Sequence, residues 1–94
     1  MAQKRNLKQW ATVFRGLGNQ NRLQILEILT KTKSMSVSEL SEKLHITLKN
    51  TSRNLIILLN LDLVEFQGRN SRVYYNLNLR MSDDITRILK ILLS

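Results

Sequence analysis

The sequence has no cysteine and no proline, only three glycines, and 7 acidic residues against 15 Lys and Arg. Each shortage removes options. Without cysteine there is no disulfide, no thiolate metal site and no sulfur nucleophile. Without proline, and with so little glycine, long flexible linkers and polyproline segments are not expected. No run of eighteen uncharged apolar residues occurs, so no segment is expected to span a membrane. The stretch from Met1 to Leu7 leads into an amphipathic pattern and lacks the apolar centre of a secretory signal. A cytoplasmic protein is the expectation, and 94 residues leave room for one domain, 1–94, with one core.

The shortage of acid gives a net charge of +8 and a pI of about 10.5. A domain above about pI 9 is a candidate for binding polyanions, either nucleic acid or an anionic surface. Residues 1–33 hold seven Lys/Arg against one Glu, net +6, whereas residues 34–62 hold three of each sign. Residues 63–94 hold five against three, net +2, so the excess lies toward the two ends.

Periodicity divides the chain. Leu7, Trp10, Ala11, Phe14 and Leu17 share one helical face and predict a helix over about 3–16, ended by left-handed glycine in Gly16-Leu17-Gly18. Asn19 is placed to cap a second helix over about 20–32, apolar around more than half its circumference and therefore central. Ser36-Val37-Ser38-Glu39 has the form of a capping box and opens a third helix over about 37–44. After a break at His45-Ile46, Thr47 is placed to cap a fourth helix that runs to about Asn60. Residues 63–67 and 73–77 then alternate in polarity about the turn cluster Gly68-Arg69-Asn70-Ser71, as the strands of a hairpin do. Ser82-Asp83-Asp84 caps a last helix with the stripe Ile85, Ile88, Leu89 and Leu92. The expected fold is mainly α with a small β-hairpin, in the order α-α-α-α-β-β-α: a winged helix-turn-helix.

The fourth helix is split. Its second half is apolar, but Lys49-Asn50-Thr51-Ser52-Arg53-Asn54 are six polar residues in a row. A B-DNA major groove is about 12 Å wide and admits one helix, with the N-terminal turns reaching base edges and the rest held in the core. Asn can pair with adenine, Arg or Lys with guanine, and Ser or Thr can serve phosphates. Thr47, Lys49, Asn50, Thr51, Ser52, Arg53 and Asn54 are therefore the candidate DNA contacts of a recognition helix over 47–60. Arg69, Asn70 and Arg72 are those of the hairpin tip, 68–72, lying on the backbone or in a minor groove.

At these residues the chain resembles the ArsR-type repressors, small dimeric winged-helix regulators. The likeness covers about residues 10–78. The segment Phe14 to Leu26, with Arg22, Ile25 and Leu26, is similar to the family stretch ending in Arg-x-x-Ile-Leu. Ser36 to Leu44 resembles the first helix of the helix-turn-helix. Thr51-Ser52-Arg53-Asn54-Leu55 stands where the family usually carries Ser-x-His-Leu, with Asn54 in place of the histidine. Asp62-Leu63-Val64 resembles the entry to the wing, and Gly68-Arg69 with Val73-Tyr74-Tyr75 the wing itself.

The resemblance implies a homodimer on double-stranded DNA, formed mainly through the first and last helices. Leu7, Trp10, Phe14, Ile85, Ile88, Leu89 and Leu92 are the candidate interface, unless these stripes only complete the core of a monomer. It also implies a transcription regulator, a repressor in the family's usual mode. Many relatives sense metals through cysteines or Asp/His sets. This chain has neither, so no metal or other cofactor is expected, and no residue set singles out a small-molecule inducer.

Asp83 and Asp84 read as a helix cap and His45 as a turn residue. Arg22 is open between a phosphate contact and a surface salt bridge. Of Tyr74 and Tyr75, one should enter the core, while the other is free for phosphate or a second subunit. Ser52 has no neighbouring base, and no acid/base pair or glycine-rich phosphate loop is visible, so an enzyme is not expected. The competing reading is a winged-helix protein-interaction module of a larger assembly, which would not need the polar block or the basic tip.

Overall fold

The computed structural model describes residues 4–93. Gln3, where periodicity starts the first helix, lies outside them. The described helix α1 runs Leu7–Leu17, later than expected, because Asn6 makes a reciprocal capping box with Gln9: Gln9 N–H donates to Asn6 Oδ1 and Asn6 N–H to Gln9 Oε1, both at 2.8 Å. Its end is not a left-handed glycine. Gly18 has φ −78° and closes the helix by donating its N–H to Phe14 O at 2.8 Å.

Helix α2 (Gln20–Lys31) starts as expected under Asn19, whose Oδ1 accepts the Arg22 N–H. Ile25, Leu26 and Leu29 place it at the centre of the core. Strand β1 (Met35–Ser36) follows, and then α3 (Val37–Leu44) with its capping box in place: Glu39 N–H donates to Ser36 Oγ at 3.2 Å and Ser36 N–H to Glu39 Oε1 at 3.0 Å. A left-handed cap stands instead at His45, φ 57°, which ends α3. Helix α4 (Leu48–Asn60) begins under Thr47, whose Oγ1 accepts the Asn50 N–H at 3.0 Å.

Strands β2 (Val64–Arg69) and β3 (Arg72–Leu77) form the hairpin, and α5 (Asp83–Leu93) closes the described chain. Gly68 is not in the turn. It pairs with Val73 inside the strands, and the turn is the two residues Asn70 and Ser71, at φ 51° and 66°. Two successive left-handed residues make a type I′ loop, whose twist matches that of the strands. The sheet is antiparallel in the order β1-β3-β2, with Met35 opposite Tyr75 and Ser36 opposite Tyr74. Strand β1 was not expected from sequence, since two residues carry no period.

One apolar core gathers Val13, Leu17, Ile25, Leu26, Leu29, Met35, Leu40, Leu55, Leu58, Leu63, Val64, Ile85 and Leu89. Every helix contributes to it, and Tyr75 packs against it while Tyr74 does not. Ser82 occupies the N-cap position of α5, its carbonyl accepting the Thr86 N–H, but the side chain that takes a helix amide is Asp84, from Ile85 at 2.8 Å. Ser82 Oγ donates to the same carboxylate.

Candidate nucleic-acid interface

Helices α3 and α4 pack through Leu40, Leu55 and Leu58, and this sets which face of α4 looks outward. Thr47, Lys49 and Arg53 are exposed, and Asn50 and Ser52 are partly so. Lys49 and Arg53, four apart, lie one above the other on the outer face. The described first turn of α4 contains no acid, so nothing there opposes an anion at the positive end of the helix dipole.

Two of the expected contacts are corrected. Thr51 is 0% exposed and Asn54 5%, so neither side chain reaches solvent to touch DNA. Both are polar residues satisfied inside the protein. Thr51 Oγ1 donates to Thr47 O at 2.9 Å, tightening the first turn of α4. Asn54 accepts from Arg22 Nη1 at 2.8 Å and donates through Nδ2 to Asn50 O at 3.0 Å and Asn50 Oδ1 at 2.8 Å. Arg22 is thus engaged with neutral oxygens of the protein, and among the described residues it forms no salt bridge. Its Nε also donates to Gly16 O at 2.6 Å, which fastens the end of α1 to α4.

Leu48, the first residue of α4, is 54% exposed beside these polar groups, and Ile56 is exposed on the same side of the helix. Sequence periodicity assigns Ile56 to the apolar half and leaves Leu48 unassigned. Only the direction in which α4 docks reveals them, and an outward aliphatic side chain suits the methyl group of thymine.

The wing tip is basic and braced. Arg69, Asn70 and Arg72 are all exposed. The Arg69 guanidinium lies 4.5 Å from the centroid of the Tyr74 ring, and its Nη2 donates to Ser34 Oγ at 3.0 Å. Arg72 stands beside Ser36, Val37 and Ser38 at the start of α3. The Glu39 carboxyl is held below its ordinary value of 4.5, first by the Ser36 backbone N–H and the Ser36 hydroxyl and then by the Arg72 charge.

Helices α1 and α5 carry the two apolar stripes. Leu7 is 86% exposed, Phe14 53% and Leu92 52%. Trp10 is half-buried, stacks on Phe14 with centroids 5.8 Å apart, and lies under the Arg5 guanidinium at 5.3 Å. Ile88 is half-buried, and Ile91, absent from the expected set, is exposed. Ile85 and Leu89 are buried in the protomer's own core, so the expectation that they face a partner is corrected: α5 turns these two inward and Ile91 and Leu92 outward. Arg5 ties the two helices together, donating to Ser82 Oγ at 3.0 Å and pairing with Asp84 at 2.8 Å.

Among the described residues no three His, Asp or Glu side chains stand together as a metal-ligand set, and no helix is long and apolar enough to cross a membrane. A cleft of about 330 Å³ between α2, β3 and α5 is lined mainly by Leu77, Met81, Leu89 and Leu93, with Lys90 at its side.

The HVO_A0114 family model matches residues 19–78, which span the second helix, the helix-turn-helix and the hairpin. No curated protein matches the chain. Solved structures do. HlyU from Vibrio cholerae is 27% identical, with 96% of this chain and 94% of that one covered and a TM-score of 0.79. The solution structure of a Mycobacterium bovis fragment, the homodimeric winged helix-turn-helix DNA-binding domain of Mb0332, a "possible ArsR-family transcriptional regulator", is 29% identical over 98% of this chain and 86% of that one, TM-score 0.77. A crystal structure of a 1–100 fragment of an M. bovis regulatory protein is 30% identical over 92% and 88%, TM-score 0.75. With that family match and neighbours of this identity and coverage, the chain belongs to the HVO_A0114 family and is an ArsR-type winged helix-turn-helix transcription regulator.

Proposed function

We propose that the chain, as one domain, is a homodimeric repressor that acts in the cytoplasm on specific sites in double-stranded DNA. The observation that carries this reading is the two-sidedness of α4. Its N-terminal half turns Thr47, Lys49, Asn50, Ser52 and Arg53 outward, while Leu55 and Leu58 anchor the other half in the core. Such a helix enters a major groove end-first without exposing its own packing surface. Arg69, braced by Tyr74 and Ser34, and Arg72, with Asn70 between the strands, then lie along the backbone or in the adjacent minor groove.

The dimer forms through α1 and α5, using Leu7, Trp10, Phe14, Ile88 and Leu92, with Ile91 added. Exposed leucines and a phenylalanine on adjoining helices of so small a domain are the kind of patch that marks an interface. A two-fold axis there sets the recognition helices on half-sites roughly 34 Å apart. The homodimeric DNA-binding domain among the similar structures supports a homodimer.

The test is binding to a duplex pool, followed by fluorescence anisotropy over a salt series. Enrichment of a near-palindrome, bound with a steep salt dependence, is expected. Weak, equal binding to every duplex would end the proposal. A second reading, a module that binds a protein partner, is favoured by one observation: Phe66 and Val73, on one face of the wing, are exposed. Under that reading, neutralising Lys49 and Arg53 leaves partner binding unchanged.

A further inference from the structure

We infer that Arg22 and Asn54 are positioning residues that hold the Asn50 carboxamide with its NH2 group outward, so that Asn50 reads guanine or thymine and not adenine. The inference rests on the DNA-binding reading above and goes beyond it to the base that is read.

The chain of constraints starts at the end of α1. Arg22 has donors and no acceptor. Its Nε is fixed on Gly16 O at 2.6 Å and its Nη2 reaches Arg15 O at 3.4 Å, so the fork has one orientation. Nη1 then points at Asn54 across 32 residues of sequence, at 2.8 Å, and only an oxygen can stand there. Asn54 therefore presents Oδ1 to Arg22 and Nδ2 to Asn50. Nδ2 donates twice, to Asn50 O at 3.0 Å and to Asn50 Oδ1 at 2.8 Å. A flip of the Asn50 amide would set two NH2 groups against each other, so Asn50 is fixed with its oxygen inward. Among the described residues its Nδ2 has no partner, and the residue is half-exposed on the outer side of α4.

Adenine offers the major groove an acceptor and a donor, N7 and the N6 amino group, and the usual Asn–adenine pair uses both ends of the carboxamide. Here the oxygen end is engaged by Asn54. Guanine offers two acceptors, N7 and O6, and thymine offers O4. Guanine can take both protons of an outward NH2 group and thymine O4 takes one, whereas at adenine the acceptor N7 stands beside the N6 amino group, which repels a second NH2 group. The general expectation of an Asn–adenine pair at position 50 is replaced by a donor-only reader, whose orientation originates at the C-terminus of α1.

Two measurements test this in the full chain. The first is selection from a randomised duplex pool by the wild type, Asn50→Ala and Asn54→Asp. The Asn54→Asp variant keeps an oxygen for Arg22, so the fold stays tied, but it has no NH2 group to hold Asn50. The base pair whose preference is lost in Asn50→Ala is expected to be guanine or thymine on the contacted strand, favoured roughly tenfold over adenine. Asn54→Asp is expected to admit adenine at that one pair and to leave the pattern elsewhere unchanged. Adenine preferred by the wild type at that pair would overturn the inference. So would a loss in Asn54→Asp spread evenly over all positions. Failure of the wild type to enrich any sequence would remove the DNA-binding reading itself and this inference with it.

The second measurement needs no DNA. In the free protein the Asn54 side-chain NH2 protons should exchange slowly with solvent and those of Asn50 fast, and Arg22→Lys should release the Asn54 protons while α4 remains helical. Equal, fast exchange of both amides in the wild type would overturn the relay independently of any DNA result.

Discussion

Gly16 in α1 and Leu61, at the end of α4, approach so closely that a Cβ on Gly16 would overlap Leu61 Cδ1. The same glycine's carbonyl receives Arg22 Nε, so the close approach and the Arg22 tie meet in one residue. Gly16→Ala would raise helix propensity by about 1 kcal/mol, yet overpacking costs about 1–3 kcal/mol. A net loss of stability is expected, read as a lower Tm. A double-mutant cycle with Leu61→Ala checks the cause: removing the Leu61 side chain should make the alanine at 16 harmless or favourable.

Ser71 sits at φ 66° in the wing turn, a conformation that costs an L-residue roughly 1 kcal/mol. Ser71→Gly converts the loop to Asn-Gly, the preferred type I′ pair. Stabilisation by about 0.5–1 kcal/mol is expected, visible as a rise of a few degrees in Tm. A fall in Tm would mean that the Ser71 side chain has a role the turn geometry does not require.

The two lowered carboxyls predict the acid limb of stability. Glu39 is held below 4.5 chiefly by the Ser36 backbone N–H and hydroxyl; Asp84 is held below 3.8 chiefly by the Ser82 hydroxyl and further by Arg5. A carboxyl whose folded value is depressed stabilises the fold fully above its unfolded value and loses that contribution as pH falls through the folded one. Neither group therefore alters stability between pH 8 and pH 5, and both contributions fade below about pH 4. Thermal melts across that range check this. Glu39→Gln with Asp84→Asn should flatten the slope on the acid side.

Arg53 and the wing arginines should fail differently in DNA binding. Arg53→Ala is expected to cost about 1–3 kcal/mol on the preferred site and little on random duplex, if it pairs with a base. Arg69→Ala and Arg72→Ala should weaken binding to every duplex and make the salt dependence shallower by about one unit each. Anisotropy titrations on specific and scrambled duplexes separate the two outcomes. Identical losses on both duplexes for Arg53→Ala would assign it to the phosphates.

The stripes on α1 and α5 can be told apart by size and by stability. Phe14→Asp or Leu92→Asp should yield a folded monomer in light scattering, because both side chains are exposed in the protomer. Ile85→Ala should instead cost about 2–5 kcal/mol in denaturant unfolding, as truncation of a core residue does. A dimer that survives Phe14→Asp would move the interface elsewhere.

Much of this architecture was legible in the sequence wherever a local signal had a local cause. The Ser36–Glu39 capping box, the Asn19 and Thr47 caps and the alternation of 73–77 each depend on neighbours a few residues away, and each is in place. The misreadings come from distant partners. Polar Thr51 and Asn54 look like surface until the bond from Arg22, 32 residues earlier, explains the burial of the second. Ile85 and Leu89 share a stripe with Leu92, but which part of it turns inward is decided by where α2 and the hairpin lie. Gly68 drew the turn toward itself, whereas the register of β2 on β3 puts the reversal at Asn70 and Ser71. Strand β1 exists only because β3 is beside it.

Ser36 belongs to two elements at once. It pairs with Tyr74 as the end of β1, and its hydroxyl caps α3. The hairpin is therefore joined to the first helix of the helix-turn-helix by a single residue with no hinge between them. A flap on a flexible stem could adjust to grooves of different width. Under the proposed function, a wing welded in this way carries the geometry of α3 and α4 with it, so a duplex is expected to bend or change its groove width to meet helix and wing together. Sites of equal base content but different stiffness should on that account be bound unequally.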